Sequence, residues 1–183
     1  MPCCGVKAHW ILGTILNMAG FWLLVVGFFM PTFTAVYTQG AVYGMWHMTY
    51  MKDGNFVYHD IADWKIYMMT SSYWRLAEGL AATGLTVNAV GNLLFQVFQC
   101  VHAPQALPVA VAFVFTGSIF SASATVIFQH NSKPFDEEYT VTPGAALFLC
   151  VNGVFFSLIG AFVLMISATK TIKKFKTKTG SVL

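Results

Sequence analysis

The chain has 183 residues, 57% of them hydrophobic and only 9% charged, with a formal net charge of +3. That balance excludes a soluble helical domain, because soluble helices need a polar face, and nucleic-acid binding is excluded because the only basic run is the tail after the last apolar run. Residues 107–128 and 143–168 contain no charged side chain, and each run is long enough for the ~20 residues that cross a bilayer.

Taken in chain order, the first predicted span covers residues 9–30, with Asn17 inside it and Trp10 and Trp22 along it. An asparagine at that depth is read as a hydrogen-bonding link between helices. The run is too long for a cleaved signal and lacks a small-residue cleavage site before Pro31, so it is expected to stay as a signal anchor. Residues 31–73 then form the one long polar stretch. Residues 42–51 are rich in Tyr and Met, with Val, Trp and Thr among them, and residues 56–58 continue in kind. Between them Asp53-Gly54 makes a favoured two-residue turn, since both positions tolerate positive φ. Residues 42–60 are therefore expected to form a β-hairpin outside the membrane, with Thr49 across from Tyr58 and His47 opposite Asp60. Residues 61–73 carry Trp64, Tyr67, Met68 and Met69, which suit the headgroup level, a protein contact, or a small core within the loop.

The second span, 74–99, opens with Arg75 and Glu78 at i, i+3 spacing. Asn88, Asn92, Gln96 and Gln99 follow at spacings of three and four and are read as a stripe of helix–helix hydrogen bonds. Gly84 and Gly91, seven apart, suit close packing. After a proline-broken connection comes the third span, 107–128, with Gly117, Ser118, Ser121 and Thr125. The second outer loop, 129–142, holds Asp136, Glu137 and Glu138. This patch would attract cations or a basic partner, or is a solvated charge cluster. The fourth span, 143–168, carries Gly144, Gly153 and Gly160, and a basic tail, 169–183, follows.

Charge placement sets the expected orientation. Lys7 precedes the first span and Lys170, Lys173, Lys174, Lys176 and Lys178 follow the last, whereas every acidic residue falls in an outer loop or at an outer helix end. Both termini are expected in the cytoplasm. The lysines there would also bind anionic lipid, at about 1 kcal/mol each. Cys3 and Cys4 lie at the inner boundary, where S-palmitoylation and plain reduced thiols are both consistent with the sequence. The ending Ser181-Val182-Leu183 fits the S/T-x-apolar C-terminus that PDZ domains capture by strand addition.

Catalytic signatures do not emerge. His9, His47, His59, His102 and His130 are scattered, with no metal-ligand spacing. The sequence has no G-x-S-x-G and no P-loop. No span carries an acidic residue at mid-depth, which proton-coupled pumps and transporters generally need. The expectation is a protein that is not an enzyme and takes no cofactor or metal.

A first span ending at Pro31, the Gly44-Met45-Trp46 segment, Arg75 opening the second span and Gly144 opening a Gly-rich fourth together resemble the claudin superfamily. That group comprises claudins, peripheral myelin and epithelial membrane proteins, and regulatory subunits of AMPA receptors. The resemblance runs over nearly the whole chain and rests on short motifs. It implies an all-α membrane protein, a four-helix transmembrane bundle bearing a small extracellular antiparallel β-sheet, in a single domain over 1–183. It also implies that residues 139–141 add a strand, that Trp46 wedges between sheet and helices, and that Arg75 anchors the sheet; a snorkelling interfacial role for Arg75 remains the alternative. The implied function is a junction or adhesion component of the plasma membrane contributing to cell–cell contact or a paracellular barrier. Such a protein self-associates in cis or trans and is tethered to a PDZ scaffold, with Asp53, Gly54 and Asp136, Glu137 and Glu138 as contact or ion-facing surface. The alternative within the group is an auxiliary subunit that modulates the gating or traffic of an ion channel or receptor, and a third is a membrane organiser of the peripheral myelin type. The chain departs from the group at one point. Residues 31–73 contain no cysteine, and Thr49 stands where the first of a loop disulfide pair is expected. A disulfide contributes roughly 2–4 kcal/mol, so tight turn and aromatic cross-strand packing are expected to hold this loop instead.

Overall fold

The computed structural model describes residues 8–30, 32–36, 41–53, 55–60, 72–100, 107–131 and 141–179. Four long helices dominate: α1 (Ala8–Phe29), α2 (Ser72–Cys100), α3 (Leu107–Asn131) and α4 (Ala145–Thr179). Each contains a stretch long and apolar enough to cross a membrane: Trp10–Phe29, Ser72–Phe98, Leu107–His130 and Ala145–Lys170. Their outward faces are apolar too, with Ile15, Trp22, Leu93, Val126 and Phe155 all exposed. Lipid tails suit such a surface and water does not. The helix of α4 runs on beyond its apolar span to Thr179, where the sequence reading had only a basic tail. Lysines are good helix formers, and the first glycine after the span is Gly180.

The buried positions explain how four apolar helices find a unique arrangement. In α1 they include Trp10, Gly13, Asn17, Gly20, Leu24 and Gly27, alternating steps of three and four, with Phe28 beside the last. In α4, Ala146, Cys150, Gly153, Ser157, Gly160 and Leu164 repeat the pattern. This is a 3.5-residue repeat, the spacing of a coiled-coil seam. The closest pairs are α1 with α4 and α2 with α3, and glycines set their approach. A Cβ on Gly20 would lie 2.4 Å from the Ser157 backbone nitrogen, and one on Gly117 would lie 2.6 Å from that of Asn88. Helices with no hydrophobic drive to associate in lipid gain their contact through such backbone proximity.

Five strands form one antiparallel sheet in the order β4-β3-β2-β1-β5: β1 (Thr34–Val36), β2 (Ala41–Tyr43), β3 (His47–Lys52), β4 (Asn55–Asp60) and β5 (Val141–Pro143). The sheet sits at the end of the bundle where α1 and α3 finish and α2 and α4 begin. The β3–β4 hairpin has the register that its turn dictates: Lys52 pairs with Asn55, Thr49 with Tyr58, and His47 with Asp60. Asp53 has φ 53°, as the first turn residue requires. Two details differ from the sequence reading. Residues 42–51 are not one strand, because Gly44-Met45-Trp46 breaks them into β2 and β3, which fold back on each other with Val42 opposite Thr49. The added strand is 141–143; of the expected 139–141 only Val141 lies among the described residues. The strand pairs with β1, Ala35 opposite Thr142, and as the sheet's edge it tolerates the missing N–H of Pro143.

Candidate functional site: the sheet–bundle junction and a buried polar layer

The connection between β2 and β3 dips into the bundle. Gly44 and Met45 are buried and Trp46 is partly so. Met45, with no exposed surface, joins Leu24, Phe28, Phe33, Ala77 and Phe128 in the core nearest the sheet. Trp46 stacks on Phe29 at 6.1 Å, and its Nε1 is shielded without a hydrogen-bond partner among the described residues. The segment is fastened from α2 by a residue that the sequence reading did not single out. Trp74 Nε1 donates to the Met45 carbonyl at 2.8 Å, while the Trp74 ring meets Phe128 edge-on at 5.1 Å. Phe128 also meets Phe33 at 4.7 Å. One aromatic on α3 thus links the entry to β1 with the start of α2. Arg75 is exposed on the first turn of α2.

A second clasp lies at the β5 edge of the sheet. Gly144 donates its N–H to the Phe33 carbonyl at 2.9 Å, and Ala146 donates to the Thr32 carbonyl at 3.2 Å. A Cβ on Gly144 would fall 1.8 Å from the Thr32 carbonyl oxygen, so only glycine fits this approach. The clasp binds the start of α4 to the chain leaving α1.

Midway along the bundle the core turns polar. Asn17 of α1, Asn88 and Asn92 of α2, Ser118 of α3 and Ser157 of α4 are all buried. Asn17, Asn88, Ser118 and Ser157 lie within about three residues of the middle of their spans. Asn17 Nδ2 donates to Asn92 Oδ1, and Ser157 Oγ donates to Asn17 Oδ1 at 3.0 Å. Asn92 Nδ2 donates to Asn88 Oδ1 at 2.8 Å and to the Asn88 carbonyl at 3.0 Å. Asn88 Nδ2 donates in turn to Ser157 Oγ at 3.0 Å and Ser118 Oγ at 3.3 Å. Ser118 and Ser157 are 2.8 Å apart, and Ser118 Oγ also reaches the Val114 carbonyl at 2.9 Å. Each carboxamide is engaged at both its oxygen and its nitrogen. In hydrocarbon, with no water to compete, such a closed network fixes which residues face one another. The glycine seams make it reachable, since Gly160 packs on Asn17 and Gly117 on Asn88.

The expected stripe on α2 therefore divides. Asn88 and Asn92 face inward, whereas Gln96 is exposed. The stripe's four-residue steps advance about 40° too far each time, so Gln96 lies roughly 80° around the helix from Asn88. The side chain of Gln99 lies outside what is described, as do Cys3, Cys4, Gly54, Asp136, Glu137, Glu138, Ser181, Val182 and Leu183. Asp53 is exposed at the hairpin turn.

The layer's chemistry is that of neutral amides and hydroxyls, which hold position and do not exchange protons near neutral pH. Among the described residues no group of three or more His, Cys, Asp or Glu converges. No protein-family model and no characterised protein matches the chain.

Proposed function

We propose that the chain is a claudin-like adhesion protein of the plasma membrane, its sheet outside the cell and both termini inside. The observation that carries this reading is the sheet order β4-β3-β2-β1-β5, in which β5, from the segment between α3 and α4, pairs with β1 at the exit of α1. Both segments on that side of the bundle are thereby tied into one platform, which a contact between membranes requires. Supporting it are the Gly44-Met45-Trp46 segment packed against the helices and the cluster of lysines at the opposite end of α4.

On this reading Trp46 wedges the sheet against α1 and Arg75 anchors it from α2. The hairpin tip, Asp53 and Gly54, and the acidic Asp136, Glu137 and Glu138 form the surface offered to another copy or to ions. Ser181, Val182 and Leu183 tether the chain to a PDZ scaffold inside the cell. The basic end of α4 and lipidated Cys3 and Cys4 hold the inner leaflet. A lateral role as auxiliary subunit of a channel or receptor is favoured by one feature. No cysteine in residues 31–73 cross-links the sheet, and a platform without that staple is less suited to a rigid polymer.

Imaging of the tagged protein in junction-free cells, with expressing and non-expressing cells mixed, separates the two. Accumulation only where two expressing cells touch is expected. A uniform surface signal would overturn the adhesion reading in favour of the subunit.

A further inference from the structure

The asparagines of the spans do not all point inward. Asn152 is exposed on α4 in the middle of an apolar face, between Phe148 (59% exposed), Val151 (53%) and Phe155 (59%). It lies about 8 Å from the midpoint of the span Ala145–Lys170, at ~1.5 Å rise per residue. The half-thickness of the hydrocarbon is about 15 Å, so the side chain sits among lipid tails. Its Nδ2 donates back to the Phe148 carbonyl at 2.8 Å. That is the carboxamide's one hydrogen bond among the described residues. One N–H and the whole of Oδ1 are left facing hydrocarbon. Thr86, the comparable exposed side chain on α2, uses its one O–H donor by bonding to the Ala82 carbonyl at 2.8 Å. An asparagine carries a second N–H, and one bond to its own helix leaves that donor unused along with the oxygen. A polar group in lipid with unused capacity acts as a contact point for another helix.

We infer that this face of α4 docks a second copy of the chain in the same membrane, with the two Asn152 carboxamides hydrogen-bonded to each other. The occupant follows from symmetry and chemistry. Two copies inserted with the same orientation are related by a twofold axis along the membrane normal, which brings identical residues at identical depth face to face. A carboxamide carries both donor and acceptor, so the unused N–H of each copy meets the unused Oδ1 of the other, and nothing remains unpaired. The flanking Phe148, Val151 and Phe155 close over the pair. Lateral pairing deepens the self-association proposed above, yet it rests only on the helices spanning a bilayer, so it stands or falls independently of adhesion between cells.

The test is lateral association of the full chain, labelled with donor and acceptor dyes, in fluid phosphatidylcholine vesicles over a series of lipid dilutions. Wild type is expected to show energy transfer that falls with dilution along a monomer–dimer isotherm. N152L should weaken the dimer on the order of tenfold, and N152Q should keep most of it. V151W, a bulky change on the same face, should also weaken it. V126W, at an exposed position on α3, should not. Because N152L makes a lipid-facing position more apolar, its monomer is expected to remain as stable as wild type. Either a wild type that is monomeric at every dilution, leaving the face to a different partner, or an N152L isotherm superimposable on wild type would overturn the proposal. Failure of cell-mixing imaging with an intact isotherm would instead remove adhesion and leave the lateral dimer.

Discussion

Asn88→Ala is the sharpest probe of the bundle, because Asn88 ties its own helix to two others. The substitution removes three side-chain links: Nδ2 to Ser118 Oγ, Nδ2 to Ser157 Oγ, and the Oδ1 that accepts from Asn92. Hydrogen bonds between membrane helices contribute about 0.6 kcal/mol on average and ~1.7 at most. Two of the three links run between helices and the third, from Asn92, lies within α2; the same range applied to each brackets the loss between about 2 and ~5 kcal/mol. The groups left behind decide between these limits. Asn92 Nδ2 retains the Asn88 backbone carbonyl, Ser118 retains that of Val114, and Ser157 retains Asn17 Oδ1. None is orphaned, so the low end is expected: a loss of about 2 kcal/mol, measured by steric trapping in bicelles. Gln96→Ala, an exposed change on the same helix, should fall within about 0.5 kcal/mol of wild type. An Asn88→Ala protein as stable as the Gln96→Ala control would refute the idea that the polar layer holds the four helices in register.

Three further outcomes follow from close approaches. Gly20→Ala forces a Cβ to 2.4 Å from the Ser157 nitrogen, while Gly79→Ala meets nothing within 4 Å; the first should lower stability by roughly 1–3 kcal/mol and the second should leave it unchanged or improved, by the same unfolding assay. Gly144→Ala collides with the Thr32 carbonyl, so amide exchange in β5 should speed up markedly, and wild-type protection would contradict the clasp. Trp74→Phe keeps the ring against Phe128 but loses the bond to Met45, which should lower stability by about 1 kcal/mol and speed exchange in β2 and β3 while leaving the helices protected.

How much of this was legible in the sequence depends on the range of each signal. The four long apolar helices and the hairpin reversal are local signals, one set by uninterrupted apolar length and the other by backbone conformation at Asp53, and the helices and the Lys52–Asn55 pairing follow them. The register Thr49–Tyr58 follows once the turn is fixed. Helix faces were harder to read, since every face of α1 is apolar and hydrophobic periodicity carries no direction. The informative repeat there is of small residues, Gly13, Gly20 and Gly27, seven apart. Asn88 and Asn152 look alike in sequence, each an asparagine within a predicted apolar span. Only the seam marked by Gly153, Ser157 and Gly160 shows that Asn152 faces outward. The Trp74–Met45 bond joins residues 29 positions apart across a loop, and no local pattern announces it.

The sidedness of the sheet is the most direct test of the account, since an adhesion platform must face outward. Asn55 is exposed on β4 beside the hairpin turn, and Asn55→Cys can be labelled in intact cells with a membrane-impermeant thiol reagent. Labelling is expected before permeabilisation, with the wild-type thiols, Cys3, Cys4, Cys100 and Cys150, silent under the same conditions. Labelling of the variant only after permeabilisation, in protein shown to be at the surface, would put the sheet inside the cell and contradict the account.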